Sequence, residues 1–184
     1  MNHKGTVMFE TTNLICRRFT PYDCHDMLRN WASDPQIQTE YREPVYSDIN
    51  EVSKLLSDYI ENYQNPDYYR WAIIEKTSKE NIGQIALCRV YSDCGTGEIE
   101  YCIGKHFWGR GYAGEALSGM IAYIFRNTEF QKLEAYHRAE NIKSGRVLQK
   151  SAMKMTDNVE RFAREKINPH GEICYCIYRE EYLF

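Results

Sequence analysis

The run from Trp108 to Gly114 constrains the fold of this chain more than any other stretch, because three glycines and an alanine fall within six of its residues. Residues with little or no side chain let the backbone turn sharply and let another molecule approach its amide groups. A strand-like segment, 97–104, precedes the run, and a segment of helical periodicity follows it. The run therefore predicts a tight turn between a strand and a helix.

The helix after this turn is indicated by its apolar residues, which recur at alternating steps of three and one and form one buried stripe. These residues are Ala113, Ala116, Leu117, Met120, Ile121, Ile124 and Phe125. Unpaired N–H groups and the positive end of the helix dipole face outward at such a helix start, an arrangement that binds phosphate. We therefore predict a phosphate-bearing ligand that is held mainly by backbone amides. The alternative is that the glycines only let the helix pack closely on the sheet.

Length and composition predict one cytoplasmic domain that spans residues 1–184. A chain of 184 residues can bury about 70% of its unfolded surface in a single core. Its net charge of -3 does not favour nucleic acid or another polyanion as a partner. No apolar stretch is long enough to predict a membrane span. Seven cysteines without a CxxC pair, and five isolated histidines, favour reduced thiols and no metal site.

The pattern along the chain predicts a mixed sheet with helices packed in layers. Their β-branched and aromatic content predicts strands over 14–19, 68–75, 82–91, 97–104, 132–138 and 173–178. Capping residues and apolar spacing predict helices over 20–31, 48–63, 113–127 and 142–153. Strands dominate before the Gly-rich turn and alternate with helices after it, which indicates a mixed α/β domain.

Four ordered blocks of the chain are similar to motifs of the GNAT superfamily of acetyl-coenzyme A-dependent N-acetyltransferases, and within it resemble the RimJ/RimL-like branch of ribosomal-protein N-terminal acetyltransferases. The blocks are 14–19 with 31–35, 98–101, 108–114 and 141–150. The loop Trp-Gly-Arg-Gly-Tyr-Ala follows the pattern of that branch, with Trp108 where the superfamily has Gln or Arg. Three departures are Glu100 in place of a glycine, Gly114 in place of a threonine, and Ala152-Met153 in place of Gly-Phe.

The resemblance implies a single-domain α/β (α+β) fold, with a twisted, mostly antiparallel mixed sheet, helices on both faces and a splay between the two central strands. It implies acetyl-CoA as the cofactor and direct transfer of its acetyl group to a primary amine in a ternary complex, with coenzyme A as product. The residues that it implies in binding the coenzyme are Tyr101, Cys102, Ile103, Trp108, Gly109, Arg110, Gly111, Tyr112, Ala113, Gly114, Asn141, Lys143 and Ser144.

Two carboxylates on the strand before the loop are candidates for accepting the proton of the amine. Glu98 and Glu100 lie on one face because strand side chains alternate, and nearby carboxylates raise one another's pKa. The alternative for both is a solvated face or an ion pair. By the resemblance, Ser144 is the candidate that hydrogen-bonds the departing thiolate, and Asn141 fixes the pantetheine arm. Each has the alternative of an ordinary role at a helix start. Glu115 is expected to pin the start of the preceding helix, the one after the Gly-rich turn.

The acceptor is predicted from the chemistry of the amine. Freeing an α-amine near pKa 8 of its proton at pH 7 costs about 1–1.5 kcal/mol, against about 4–5 kcal/mol for an amine near pKa 10.4. A site without a catalytic histidine therefore fits the α-amine of a protein or peptide. The alternatives are a small amine, such as a polyamine or an aminoglycoside, and a non-catalytic coenzyme A-binding sensor or interaction module.

The resemblance also places four aromatic side chains at the acceptor cleft, which are Trp31, Tyr41, Tyr46 and Tyr69. Aromatic residues are so plentiful in this chain that most of them must belong to the core or to the ordinary surface. No specific acceptor follows from these four residues. The sequence also leaves the oligomeric state open, a homodimer included.

Overall fold

The computed structural model describes residues 1–166 and 171–182. Eight strands of this part of the chain are β1 (Phe9–Glu10), β2 (Leu14–Arg17), β3 (Arg70–Glu75), β4 (Asn81–Tyr91), β5 (Thr96–Ile103), β6 (Lys132–Arg138), β7 (Lys154–Met155) and β8 (Glu172–Tyr178). They form one sheet in the order β1-β2-β3-β4-β5-β6-β8-β7. Within it only β5 and β6 are parallel neighbours, so the predicted mixed, mostly antiparallel sheet is confirmed.

Six α-helices of the described residues connect these strands. They are α1 (Cys24–Met27), α2 (Pro35–Tyr41), α3 (Ile49–Asn62), α4 (Tyr112–Asn127), α5 (Ile142–Gln149) and α6 (Glu160–Glu165). A 3-10 turn, Pro21–Asp23, and a π turn, Leu28–Ala32, extend α1 at its two ends. In the part of the chain described here, no helix has both the length and the apolar character of a membrane span.

The predicted strands, and the helices predicted over 48–63 and 113–127, are confirmed to within two residues at each end. The helix predicted over 142–153 ends earlier, at Gln149. The Ser151 hydroxyl donates to the carbonyl oxygen of Leu148 and accepts from the amide of Met153. These side-chain bonds replace the next helical turn. The pattern did not predict β1, β7, α2 or α6, which are too short to show a period.

Helices cover both faces of the sheet, as the resemblance implied. On β3, Trp71 and Ile73 pack in one core with the apolar stripe of α4. Ala72 and Ile74 face the opposite side and pack in a second core with α1 and α3. Successive strand side chains point to opposite faces, so this central strand is buried on both sides.

The splay between the two central strands is confirmed. Strands β5 and β6 pair only from Thr96 to Glu98, opposite Lys132 to Glu134. Beyond Glu98, the rest of β5 continues to Ile103 without a paired residue on β6. A bulge at Cys88 on β4 adds one residue opposite the same part of β5. The opening that results lies directly before the Gly-rich turn.

Candidate active site

The three glycines of the turn face open space. At Gly109 and Gly111 the backbone is left-handed, with φ of 78° and 84°, a conformation that favours glycine. A Cβ added at Gly109, Gly111 or Gly114 would meet no heavy atom within 4 Å. By contrast, a Cβ at Gly104 would lie 2.6 Å from the carbonyl oxygen of Asn30. The alternative that the loop glycines serve close packing therefore does not hold for these three.

The first turn of α4 is left open toward this space. Gly111 precedes Tyr112, the first residue of the helix, and has no side chain that caps the first-turn amides. The Tyr112 hydroxyl donates to Glu75 at the end of β3. Arg110 Nη1 lies 3.5 Å from the same carboxylate. These contacts hold the loop against β3, while the positive end of the helix dipole faces outward, as anion binding requires.

Glu115 fastens the start of α4 to the turn between β1 and β2, as expected. Its carboxylate accepts from the Thr11 hydroxyl at 2.5 Å, the Asn13 amide at 2.7 Å and the Asn13 side chain at 2.9 Å. Burial acts to raise the pKa of Glu115, but the hydrogen bonds from Asn13 and Thr11 outweigh burial and lower that pKa below its usual value. The ionised form therefore stabilises the fold.

Replacing Glu115 by glutamine is expected to lower the free energy of unfolding by about 1 kcal/mol at neutral pH, because charge-assisted hydrogen bonds become neutral ones. The folded pKa lies below the unfolded one, so this stabilisation is present above pH 4.5 and is lost as the pH falls through the folded pKa. Urea unfolding of wild type and Glu115→Gln at neutral and acidic pH measures it. The control is Glu180→Gln, an exposed carboxylate. A difference that does not shrink in acid would contradict the assignment.

Trp108 connects the turn to both sides of the opening. Its indole Nε1 donates to the carbonyl oxygen of Ile103 at 2.6 Å, at the end of β5. The Lys143 ammonium of α5 lies 3.7 Å from the ring centroid, a cation–π contact. Cys102 and Ile103 are themselves buried. Predicted coenzyme-binding residues of the strand, the turn and α5 are thus brought together around one opening.

The start of α5 is capped by Asn141, not by Ser144. The backbone amide of Ser144 donates to Asn141 Oδ1 at 3.1 Å, so Asn141 has the helix-start role that was one of its two alternatives. The Ser144 hydroxyl lies 2.9 Å from the Tyr101 hydroxyl of β5. Ser144 is therefore not used as a helix cap, and its hydroxyl lies at the opening.

The two strand carboxylates have different surroundings. Glu98 is 0% exposed and accepts from Arg89 Nη1 at 2.8 Å and from the Cys88 thiol at 3.4 Å. Glu100 accepts from Arg70 Nη2 at 2.7 Å and lines a surface cavity. The ion-pair alternative holds for both residues. Only Glu100 is in addition placed at a space that a second substrate can enter.

That cavity has a volume of about 450 Å³, and its polar wall includes Glu43, Asp67, Arg70 and Glu100. The Arg70 guanidinium is occupied by Glu100, by Gln84 at 2.8 Å and by the Tyr68 hydroxyl at 3.1 Å. Three carboxylates against one arginine leave the wall acidic. Burial, and then the negative charge of Glu100, raise the pKa of Glu43.

Glu43, Asp67 and Arg70 were not predicted as site residues. Their positions in the sequence carry no spacing that connects them. Glu43 follows α2, Asp67 precedes β3, and Arg70 begins that strand. Only the packing of these segments against β5 brings the three side chains to one cavity.

The four aromatic residues predicted at the acceptor cleft divide into two pairs. Trp31 and Tyr69 are 2% and 0% exposed and lie in the two cores, so they offer no surface to an acceptor. Tyr41 and Tyr46 are half-buried against the second core. The Tyr41 hydroxyl is buried without a hydrogen-bond partner among the described residues. Burial, and then the charge of Glu100, raise the pKa of Tyr41.

Comparison with known proteins assigns the chain to a protein family. The sequence model of the acetyltransferase (GNAT) domain matches residues 13–154. The chain belongs to this family. It is similar to the uncharacterized N-acetyltransferase p20 of Bacillus licheniformis, with 27% identity over 138 residues that cover 75% of this chain and 77% of that protein.

Solved structures of acetyltransferases share the fold. The acetyltransferase of this family from Bacillus anthracis superposes with a TM-score of 0.76 at 21% identity, covering 95% of this chain and 99% of that one. The ribosomal-protein-S5-alanine acetyltransferase from Vibrio fischeri gives a TM-score of 0.76 at 15% identity, covering 97% of this chain and 100% of that one. The present chain is thus a GNAT acetyltransferase, and its family takes acetyl-CoA as cosubstrate.

The geometry of this GNAT domain fits such a cosubstrate. Gly109 and Gly111 form a left-handed turn with room for a bulky anion, directly before the uncapped first turn of α4. The part of β5 beyond Glu98 has no partner on β6. The Ile103 carbonyl there accepts from Trp108, and the other backbone groups of this edge are open to the amides of a pantetheine arm. The Gly-rich turn and the unpaired strand edge adjoin one another.

Proposed function

We propose that this protein transfers the acetyl group of acetyl-CoA to the α-amine of a protein or peptide, and that the amine enters through the acidic cavity. The observation that carries the proposal is the position of β5. One edge of this strand borders the opening beside the Gly-rich turn, and Glu100 on the same strand lines the cavity. The two substrates would therefore meet at a single strand.

The coenzyme is assigned to backbone groups and to a few side chains. Amides at Gly109, Gly111 and the first turn of α4 would hold its phosphates, and the backbone of residues 101–103 would hold its pantetheine arm. Bound acetyl-CoA supplies the thioester carbonyl that the amine attacks. Arg110 and Lys143 place positive charge on either side of the turn, which favours the phosphates.

Proton acceptance is assigned to the carboxylates of the cavity. Glu100 faces the cavity, whereas Glu98 is enclosed with Arg89, so Glu100 is the strand carboxylate that we propose for this role. Glu43 shares the wall, and its raised pKa makes it a better base than an ordinary carboxylate. The modest cost of freeing an α-amine, about 1–1.5 kcal/mol at pH 7, suits carboxylates of this kind.

Two sources support a peptide acceptor. The blocks 108–114 and 141–150 resemble the RimJ/RimL-like branch, and we propose that the chain belongs to that branch. The structurally similar Vibrio fischeri protein is named a ribosomal-protein-S5-alanine acetyltransferase.

The cysteines bear on the location that we propose. Seven free thiols are consistent with the reducing cytoplasm as the location.

A small amine with several positive charges is the second candidate acceptor, and the charge of the cavity favours it. Glu43 and Asp67 make no ion pair within the described residues, so each is available to an ammonium group. A peptide α-amine brings one positive charge to the site, whereas a diamine or triamine brings two or three.

The test is calorimetric titration with acetyl-CoA, followed by a thiol-release assay with peptides of free N-terminus and with diamines and triamines. We expect binding of acetyl-CoA and turnover with one class of amine. Turnover of peptides alone establishes the proposed acceptor, and turnover of polycationic amines alone establishes the second candidate. Absence of binding at about millimolar coenzyme, near −4 kcal/mol, contradicts the proposed function.

The double change Glu43→Gln/Asp67→Asn separates the acceptors by charge. For a polycationic amine we expect about a tenfold rise in KM, because two attractive charges near the surface are removed. For a peptide α-amine the expected rise is smaller, about twofold. The KM for acetyl-CoA should not change, and Glu180→Gln, an exposed carboxylate outside the cavity, should leave all values unchanged. Equal KM values in the double variant and wild type, for both acceptor classes, would exclude this cavity as the amine entry.

A further inference from the structure

Residues 41–43, which are the last residue of α2 and the two that follow it, form a strap across the opening between β5 and β6. Tyr41 packs against the second core, which includes Cys102 of β5. The next residue, Arg42, places its guanidinium 5.8 Å from the ring centroid of Tyr136 on β6. Adjacent residues of the strap thus reach the two strands that diverge.

The strap lies at the level where the pairing of β5 with β6 ends. The last paired residues are Glu98 and Glu134. Two residues further along each strand are Glu100 and Tyr136, which point to the same face because strand side chains alternate. Glu43 of the strap shares the cavity with Glu100. The strap therefore covers the start of the opening on the face from which the amine approaches.

Side chains from β8 and β6 fasten the strap to the far side of the opening. The Arg42 guanidinium pairs with the carboxylate of Glu172 on β8. Arg138 Nη2 on β6 donates to the carbonyl oxygen of Thr39 at 3.0 Å. The backbone of Arg42 is left-handed, with φ of 60°, at the end of a helix where that conformation favours glycine. The arginine at this position supplies a cross-connection that glycine cannot make.

Glu172 is held in place without Arg42. Its second carboxylate oxygen accepts from Arg161 Nη2 at 2.6 Å, and Arg161 is only 5% exposed. The Arg42 side chain, by contrast, is 48% exposed. An ion pair with an exposed partner contributes little to stability, and its removal leaves Glu172 paired with Arg161. The strap is therefore fastened weakly to a firmly held partner, and it can open without loss of the fold.

We propose that Arg42 is a specificity-determining residue for the acceptor, because it holds the strap closed and leaves the acidic cavity as the way to the thioester. This inference rests on the proposed function. Glu43 and Asp67 are exposed and Glu100 is half-buried in the wall of that cavity. An acceptor that enters there meets two negative charges before it reaches Glu100, which favours acceptors with positive charge near the amine.

An open strap exposes the start of the opening directly. An acceptor then approaches between Glu100 and Tyr136 without passing the acidic rim of the cavity. Acceptors that the rim repels, such as a peptide with an acidic second residue, gain most from this second route. Release of the Arg42–Glu172 pair should therefore broaden the range of acceptors rather than abolish transfer.

The experiment measures acetylation of two peptides that differ only in their second residue, lysine or glutamate, by wild type, Arg42→Met and Arg42→Lys. We expect wild type to favour the lysine peptide about tenfold in kcat/KM, and Arg42→Met to favour it by no more than about twofold. Arg42→Lys retains the charge and should stay within about threefold of wild type. Should only polycationic amines be turned over, a triamine and a monoamine replace the two peptides.

The direction of the change separates the strap from a plain effect of charge. Arg42→Met removes a positive charge close to the cavity. That loss alone would strengthen the preference for the lysine peptide, because the surroundings become more acidic. Opening of the strap weakens the same preference.

Amide hydrogen exchange measures opening of the strap without any coenzyme. The amides of Glu43 and Tyr46 donate to the carbonyl oxygens of Gln38 and Ala32 at 2.9 Å and 3.0 Å. We expect both amides to exchange about tenfold faster in Arg42→Met than in wild type, because the segment opens more often.

The matched control is Arg164→Met. Arg164 forms an ion pair with Asp93 at 2.7 Å and lies 4.8 Å from the ring centroid of Tyr91. It therefore loses the same two kinds of contact as Arg42→Met, away from the strap. Neither the peptide preference nor the exchange at Glu43 and Tyr46 should change in this control.

Three results would overturn the inference. One is an unchanged or stronger preference for the lysine peptide in Arg42→Met, and another is unchanged exchange of the strap amides in that variant. Either result, with acetyl-CoA bound and amines turned over, would leave the proposed function standing. The third is absence of coenzyme binding by the wild-type protein, which would overturn the proposed function and the role of Arg42 together.

Discussion

Replacing Gly111 by aspartate is expected to weaken acetyl-CoA binding by roughly a hundredfold, or about 2.7 kcal/mol. The backbone of Gly111 is left-handed, and a side chain there would meet no protein atom within 4 Å. An aspartate would therefore extend into the space that we assign to the coenzyme phosphates. Two negative charges about 4 Å apart repel by roughly 1 kcal/mol in water and about 4 kcal/mol near a protein surface. Calorimetric titration with acetyl-CoA measures the loss.

Gly111→Asn is the matched control for this substitution. Asparagine has the shape of aspartate without its charge, and both tolerate the left-handed conformation better than other side chains. We expect the asparagine variant to retain affinity within about tenfold of wild type. Equal losses in both variants would show that the shape of the side chain or strain, rather than charge, is responsible. Wild-type affinity in the aspartate variant would mean that this turn does not hold phosphate.

Replacing Arg89 by methionine is expected to lower the free energy of unfolding by about 3 kcal/mol. Glu98 is fully buried, and Arg89 Nη1 at 2.8 Å is its cationic partner. Its second oxygen, Oε2, already lacks a hydrogen-bond partner within the described residues. Without the arginine, the Cys88 thiol at 3.4 Å would be the remaining contact of the carboxylate. A thiol is a weak donor, so the buried charge would lose its hydrogen-bonded cation and keep only the more distant positive charge of Arg161.

Two further variants separate the lost ion pair from other effects of the methionine. Arg89→Lys retains the positive charge and should lose less than half as much stability. Arg89→Met/Glu98→Leu removes both charges, and replacement of a buried pair by apolar groups is often neutral. We expect this double variant to recover to within about 1 kcal/mol of wild type. Urea unfolding measures all three, and a double variant that is less stable than Arg89→Met would contradict the role given to the pair.

The Arg89–Glu98 pair also bears on the mechanism, because the sequence alone could not show that Glu98 and Glu100 have different surroundings. The alternation of a strand places both on one face, and the structure confirms this. The bulge at Cys88 then decides that Arg89 comes opposite Glu98. A residue from another strand, Arg70, reaches Glu100 and leaves it at the cavity. Neither partner is encoded in the local pattern around the two glutamates.

The local features of the coenzyme site were, by contrast, predictable from sequence. The stripe from Ala113 to Phe125 predicted α4 to within one residue at its start. The run of glycines predicted a turn before it, because only residues without a side chain readily adopt positive φ. The position of Asn141 at the start of α5 was likewise expressed in the sequence, and the structure shows that Asn141 caps the helix while the Ser144 hydroxyl contacts Tyr101.

The sequence by itself determined the elements whose residues lie next to one another along the chain. These are the central strands, the helix after the Gly-rich turn and the open backbone of the turn itself. Their periods follow from backbone geometry, which acts over a few residues. Only the tertiary structure decided which carboxylate lines the cavity, that Glu43 and Asp67 join it, and that Tyr101 faces Ser144. These contacts join residues from 24 to 57 positions apart along the sequence, and they depend on strand register and on the packing of loops, which no local pattern specifies.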